Sequence, residues 1–172
     1  MTRRQVVALI LFATSAGAVP LPNTKAPSLR VEDLAGGSIA LTDDHVVTLV
    51  IYEDQKAGTQ NQKVRDRIGP ITDRPENRDK LRLLAVADLE RWDFWPAKKY
   101  VIEDLHKTSK KENTPIYCDW KGRVRREWGL TRGRSGVILL DTHGIFRFAA
   151  EGPLDDGQIE QLVARLFELG VH

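Results

Sequence analysis

The chain has 172 residues, with 26 lysines and arginines against 24 aspartates and glutamates. A near-neutral chain of this length fits one globular domain, and it lacks the clear basic excess that nucleic-acid-binding domains carry. Its single cysteine, Cys118, excludes an internal disulfide, a two-cysteine redox pair and a cysteine zinc cluster.

The first 18 residues have the layout of a secretory signal peptide. Arg3 and Arg4 precede an apolar run over residues 6–13 that is too short to span a bilayer. Residues 16–18 form an A-x-A box that places the cleavage after Ala18, and the mature chain then carries 24 basic and 24 acidic residues. We therefore expect a periplasmic or secreted protein with no nucleic-acid partner and no membrane span after cleavage. An uncleaved membrane anchor is the alternative.

The mature chain is predicted to open with an extended, proline-rich leader over residues 19–28 and to continue as one domain over residues 29–172. Strands and helices alternate along that domain, as in α/β proteins. The predicted elements in chain order are a hairpin over 29–41 that turns at Gly36 and Gly37, a polar turn at Asp43 and Asp44, a buried strand over 46–52, a helix with Val64 and Ile68 on one face that Gly69 and Pro70 end, a strand over 81–86, a helix from Pro96 to about Lys107, a strand over 115–119, a short helical segment over 122–128, a hairpin over 137–149, and a final helix that Asp155 or Asp156 caps and Gly170 ends.

Aromatic and apolar residues give the second predicted helix its packing surface. Trp92, Phe94 and Trp95 precede Pro96, and we expect them to pack at the helix entry; the alternative is that they line a peptide groove. The loose apolar stripe of that helix consists of Tyr100, Ile102 and Leu105.

Two stretches of the chain resemble redoxins of the thioredoxin-like superfamily. The first is Ala26-Pro27 followed by the glycine-centred hairpin, and the second is Trp128-Gly129-Leu130 followed by residues 137–144, VILLDTHG. From about residue 122 to 169 the chain is most similar to the YtfJ family, exported bacterial proteins with a thioredoxin-like fold and no established activity. The resemblance implies an α/β fold: a three-layer α/β/α sandwich with a central mixed sheet and an N-terminal β-hairpin extension.

The positions that carry redox chemistry in this superfamily are changed in the chain. Residues 54–60 replace the C-x-x-C pair and the peroxidatic cysteine, and they contain no cysteine. The resemblance places a cis-proline before the next central strand, where this chain has Ser135 or Gly136. It also implies that the former active-site face is the place for a ligand. We predict that this face comprises Asp54, Gln55, Lys56, Arg134, Ser135 and Gly136.

The remaining candidates are one thiol, four histidines and a basic cluster. Cys118 is interpreted as a small buried side chain; a reactive thiol is the alternative. The scattered histidines have no ligand spacing, so we expect neither a metal site nor a cofactor. The basic cluster could bind an anion. The alternative is a solvated surface, on which Glu127 and Asp119 are the local counter-charges. Its members are Arg123, Arg125, Arg126, Arg132 and Arg134.

The sequence therefore predicts a redox-inactive binding or structural module. Its expected partner is an envelope protein or a small anionic ligand, neither of which the sequence identifies. The alternative from a different class is a monothiol redox or peroxiredoxin-like enzyme that acts through Cys118 or through a partner's thiol.

Overall fold

The computed structural model describes residues 19–42 and 45–172. The predicted signal peptide and the predicted turn at Asp43 and Asp44 lie outside the described residues. Strands and helices alternate in the order expected. The strands are β1 (Arg30–Asp33), β2 (Ser38–Ala40), β3 (Val47–Glu53), β4 (Leu81–Asp88), β5 (Ile116–Asp119), β6 (Gly136–Leu140) and β7 (Phe146–Glu151), and the helices are α1 (Gln62–Thr72), α2 (Ala97–Glu112), α3 (Arg123–Glu127) and α4 (Asp156–Glu168), with short 3₁₀ turns at Pro75–Asn77 and Glu90–Trp92.

The strands form one mixed sheet in the order β2-β1-β5-β4-β3-β6-β7. Strands β3, β4 and β5 are parallel, whereas β6 is antiparallel to both β3 and β7. The β1–β2 hairpin adds to the sheet through an antiparallel pairing of β1 with β5. The mixed sheet and the N-terminal hairpin extension confirm the predicted fold class.

Helices cover both faces of the sheet because its central strands are apolar on both faces. On one face, α1 and α4 pack through Ile68 and Leu162 onto Leu49 and Leu139. Helix α2 lies over the same face further along the sheet, since it packs beside Ala87 and Cys118. On the other face, the leader, the hairpin and the end of α3 pack onto β3, β4 and β6.

Two helices run further than the sequence pattern predicts. Gly69 and Pro70 do not end α1, which continues to Thr72. The proline removes one backbone donor, but only Ile71 and Thr72 follow it in the helix. Ile71 is buried in the core, which favours this last turn. Helix α2 continues past Lys107 to Glu112, and Asn113 ends it with a left-handed backbone, φ 47°.

The packing surface of α2 also differs from the prediction. Tyr100 is 66% exposed and does not belong to the apolar stripe. Ile102 and Leu105 do pack as predicted, against the cluster that holds Cys118, and Val101 packs beside them. Of the aromatic residues at the helix entry, Trp92 packs against the same cluster, whereas Phe94 and Trp95 remain at the surface.

The β6–β7 turn is held by a buried carboxylate, Asp141. Burial by itself raises the pKa of Asp141, but hydrogen bonds from the amides of Ile145 and His143 and from the Arg147 guanidinium outweigh it, so the net shift lowers the pKa. Since the pKa is lower in the folded protein, the ionised group stabilises the fold above its unfolded pKa of about 3.9, and this contribution is lost as the pH falls through the folded value.

Asp141→Asn is expected to lower the free energy of unfolding by about 2 kcal/mol at pH 7, because the amide loses the charge-assisted bond to Arg147. Urea unfolding of both proteins between pH 7 and pH 3 measures the difference. We expect it to shrink below pH 4, and a difference that stays constant would contradict the assigned role of the charge.

Candidate functional site

The carboxyl ends of the parallel strands β3, β4 and β5 meet at one edge of the sheet, where ligands of open α/β sheets usually bind. Each strand ends in an ionisable residue, and these are Glu53, Asp88 and Asp119. Glu53 lies in register with Ala87 on one face of the sheet, and Asp88 is paired with Asp119 on the other. The edge therefore carries three carboxylates.

Asp119 holds the start of α3. Its carboxylate accepts the amide N–H groups of Arg123 at 2.9 Å and Val124 at 2.8 Å, and the Tyr52 hydroxyl donates to it at 3.1 Å. Burial, followed by the charges of Asp119 and Asp88, raises the pKa of Tyr52 far above its ordinary value. The tyrosine therefore stays protonated and donates to the carboxylate.

Three members of the basic cluster, Arg125, Arg126 and Arg132, form ion pairs with carboxylates other than those predicted. Arg125 donates to Asp88 at 3.0 Å and to Glu90 at 2.5 Å. Arg126 and Arg132 also bond to Glu90, so three guanidinium groups share this carboxylate. Glu127 and Asp119, the predicted counter-charges, form no ion pair within the described residues. The cluster is a compact network between α3 and the end of β4.

The segment that precedes β6 and the end of the β3–α1 loop are joined by hydrogen bonds. Ser135 donates its amide to the Gln60 side chain at 3.0 Å and its hydroxyl to Glu53 at 3.0 Å. Asn61 donates to the Ser135 hydroxyl at 2.9 Å. A proline could not make the first of these bonds, because it has no amide hydrogen. Ser135 and Asn61 are 0% and 1% exposed, so this part of the site is closed to solvent.

Glu53 lies between that buried network and α1. Arg65 forms an ion pair with it, and the Ser135 hydroxyl donates to it. Burial raises the pKa of Glu53, and Arg65 and Ser135 only partly oppose this shift. The partners of the Glu53 carboxyl, Arg65 and Ser135, connect β3 to α1 and to the segment before β6, so Glu53 has a structural role.

Next to these networks, a small recess of about 50 Å³ opens at the ends of β3 and β4. It is lined by Asp54, Gln55, Lys56, Asp88, Arg91, Trp92 and Arg132. Asp54 is already engaged, because its carboxylate accepts the amides of Lys56 and Ala57 at 2.9 and 3.0 Å. Within residues 19–42 and 45–172, the side chains of Lys56 and Arg91 have no ion-pair partner. Both cations are therefore free of ion pairs in that part of the chain, although the carboxylates of Asp54 and Asp88 line the same recess.

Of the six predicted face residues, the recess brings together only Asp54, Gln55 and Lys56. Arg134 donates to the Glu151 carbonyl at 3.1 Å, on the β7 side, whereas Ser135 and Gly136 are buried. The rest of the recess lining consists of Asp88, Arg91, Trp92 and Arg132.

Cys118 faces the opposite side of the sheet from Asp88 and Asp119. It is 2% exposed and packs with Leu89 and Trp120 under α2. Burial raises the pKa of the Cys118 thiol to about 12, and the charge of Glu32 adds to the shift. Since Cys118, Ala87 and Glu53 follow one another across three strands, the thiol lies about 10 Å from the end of β3.

A larger, shallow groove of about 820 Å³ runs between the leader and residues 128–132. Trp128 lies at its base, and the indole N–H of this residue has no hydrogen-bond partner among the described residues. That N–H is itself buried, so it is not presented to the groove.

No group of three metal-ligating side chains occurs in the described part of the chain. None of the helices described there is both long and apolar enough to cross a membrane.

Comparison with solved structures identifies the architecture. A protein assigned as the thiol:disulfide interchange protein DsbE of Chlorobium tepidum superposes on 88% of this chain and 99% of its own, with a TM-score of 0.65 at 16% identity. The exposed lipoprotein thioredoxin Etrx1 of Streptococcus pneumoniae gives 0.60 over 83% of this chain and 100% of its own, at 13% identity. The fold is thioredoxin-like. A peroxiredoxin-like protein of Aquifex aeolicus also matches, with a TM-score of 0.58 at 12% identity over 87% of this chain and 90% of its own.

The sequence comparisons add a similarity to one family. The model of the family described as "Bacterial protein of unknown function (YtfJ_HI0045)" matches residues 93–169. An uncharacterized protein of Haemophilus influenzae Rd is 32% identical over 65 residues, which are 37% of this chain and 35% of that protein. The chain therefore spans about a third of the length of this relative. The predicted similarity to the YtfJ family is confirmed, and it begins about 30 residues earlier than the motifs indicated.

Glu90 and Arg91 are central to the carboxyl edge of β3 and β4, and the sequence did not indicate either of them. Glu90 contacts arginines 35 to 42 residues away in the chain, a separation at which no local pattern signals a contact. The one available signal was position, because both residues directly follow the end of a buried parallel strand.

Proposed function

We propose that this protein is an exported, redox-inactive binding module that holds an anionic group in the recess at the carboxyl edge of β3 and β4. The observation that carries the proposal is that Lys56 and Arg91 form no ion pair in the described part of the chain, at a position where the ends of parallel strands form ligand sites. A carboxylate or phosphate would supply an ion-pair partner for both cations, and arginine can bind either with two parallel hydrogen bonds.

The state of the cysteine supports the redox-inactive part of the proposal. A thiol attacks as the thiolate, and a pKa of about 12 leaves almost none of Cys118 in that form at neutral pH. Ser135 and Asn61 fill the former redox position with hydrogen bonds to each other. The apolar run and the cleavage box of residues 1–18 support export.

The rival function is a monothiol redox enzyme that acts through Cys118 or with a partner's thiol. Assays of insulin reduction and of peroxide consumption separate it from the proposal. We expect no turnover above that of a Cys118→Ala control. Turnover that this substitution abolishes would overturn the redox-inactive assignment.

Binding in the recess is tested by NMR titration of the protein with inorganic phosphate. We expect saturable shifts of the amides of Lys56 and Arg91, and their loss in the variant Lys56→Gln/Arg91→Gln. The matched control is Lys107→Gln/Lys110→Gln, which removes two exposed charges from α2. Equal shifts in both variants would mean that phosphate binds elsewhere and would contradict the proposed site.

A further inference from the structure

Three large aromatic side chains lie exposed at the start of α2. Phe94 is 57% exposed, Trp95 is 86% exposed and Tyr100 is 66% exposed. Single exposed apolar residues are common on protein surfaces, but clusters of large ones mark interaction sites. We call these three residues the aromatic patch.

The sequence spacing places Trp95 and Tyr100 on one surface. Trp95 directly precedes the N-cap residue Pro96, and Tyr100 is the fourth residue of α2. Side chains at these two positions lie on the same side of a helix start and often pack against each other. Here both remain exposed. With about 150–250 Å² for each aromatic side chain, the patch presents roughly 400 Å². That is about half of the ~800 Å² that one partner contributes to a standard interface.

The charges around the aromatic patch are predominantly positive. Asp93 is shared by Lys98 at 3.3 Å and Lys121 at 2.5 Å, and together they lower its pKa. Arg91 and Lys99 have no acidic partner in the described part of the chain. Residues 91–99 together with Lys121 carry four basic side chains against the one acidic side chain of Asp93, whereas Glu103 and Asp104 follow Tyr100 on the next turn of α2. Electrostatic complementarity favours an acidic partner.

The aromatic patch follows the recess directly along the chain. Arg91 and Trp92 line the recess, and Phe94 follows two residues later, with its amide bonded to the Trp92 carbonyl at 2.8 Å. A ligand that reaches from one to the other would meet a cationic pocket beside an apolar surface.

We infer that the aromatic patch and the recess together dock a segment of a partner protein that carries a carboxylate beside apolar side chains. The carboxylate binds at Lys56 and Arg91, and the apolar side chains cover Trp95 and its neighbours. This inference rests on the proposed function of the recess and adds the class of partner. Tryptophan, tyrosine and arginine are the residues that contribute most to protein interfaces, which agrees with this composition.

The test is a random peptide display library panned against the purified protein, with counter-selection against the Trp95→Ser variant. We expect a consensus that contains Asp or Glu next to aromatic or aliphatic residues. Fluorescence anisotropy of a labelled consensus peptide should then show binding at least tenfold weaker to Trp95→Ser. Phe167→Ser is the matched control, because Phe167 is an exposed aromatic residue on α4; its binding should equal that of the wild type.

The variants separate failure of the inference from failure of the proposed function. Binding that requires Lys56 and Arg91 but not Trp95 would overturn the inference and leave the recess intact. Binding that requires Trp95 but not the two cations would overturn the joint site, and it would show that the recess does not bind the carboxylate. Absence of an acidic consensus would also overturn the inference. Two further results would overturn it: Trp95-dependent binding only to phosphatidylglycerol vesicles, and a Trp95-dependent dimer in sedimentation.

Discussion

Cys118 in the native protein is expected to react with an aromatic disulfide reagent at least about a thousand times more slowly than in the unfolded chain. At pH 8 a thiol with a pKa of about 12 is ionised to roughly one part in ten thousand, whereas an unperturbed thiol with a pKa near 8.5 is about a quarter ionised. The 2% exposure of the side chain slows the reaction further, because the reagent must wait for local opening.

The labelling rate is measured by stopped flow in buffer and in denaturant. A Cys118→Ala/Gln55→Cys variant provides the control, since residue 55 is exposed at the recess and should be labelled rapidly. Rapid labelling of the native wild type would show that Cys118 is accessible, and it would revive the monothiol enzyme as an interpretation.

The thioredoxin-like fold could be predicted because its elements are specified locally. The unbroken apolar runs of β3 and β6 indicate central strands, and both are buried as expected. Asp155 and Gln158 form a capping box at the start of α4, and four apolar residues of that helix lie on its buried face. Each of these signals lies within a few residues of the element that it predicts.

The candidate site could be predicted only in part, because its contacts join distant segments. The loop of Asp54 to Lys56 could be found, since it follows the first central strand. The three arginines that converge on Glu90 could not be assigned to it from local charge patterns. The expected packing of Phe94 and Trp95 at the helix entry is wrong, because composition indicates apolar area but not which side of α2 faces the sheet.

Asn61→Ala is expected to lower the free energy of unfolding by about 3 kcal/mol, because it leaves several buried polar groups without partners. Asn61 donates to the Ser135 hydroxyl and to the Gly152 carbonyl at 3.0 Å, and it accepts the Leu154 amide at 3.0 Å. Although it occupies the N-cap position of α1, its side chain makes no capping bond there. The Asn61 side chain instead joins the end of the β3–α1 loop to Ser135, which precedes β6, and to Gly152 and Leu154, which follow β7.

Urea unfolding of Asn61→Ala and Gln62→Ala tests this assignment at adjacent positions. Gln62 is exposed and bonds only to Asp66 on the surface of α1, so its replacement should change the stability by less than about 0.5 kcal/mol. Similar small losses in both variants would mean that the Asn61 network does not hold the former redox face together. A large loss confined to Asn61→Ala, with phosphate binding at Lys56 and Arg91 retained, would separate the closed structural half of this edge from its open binding half.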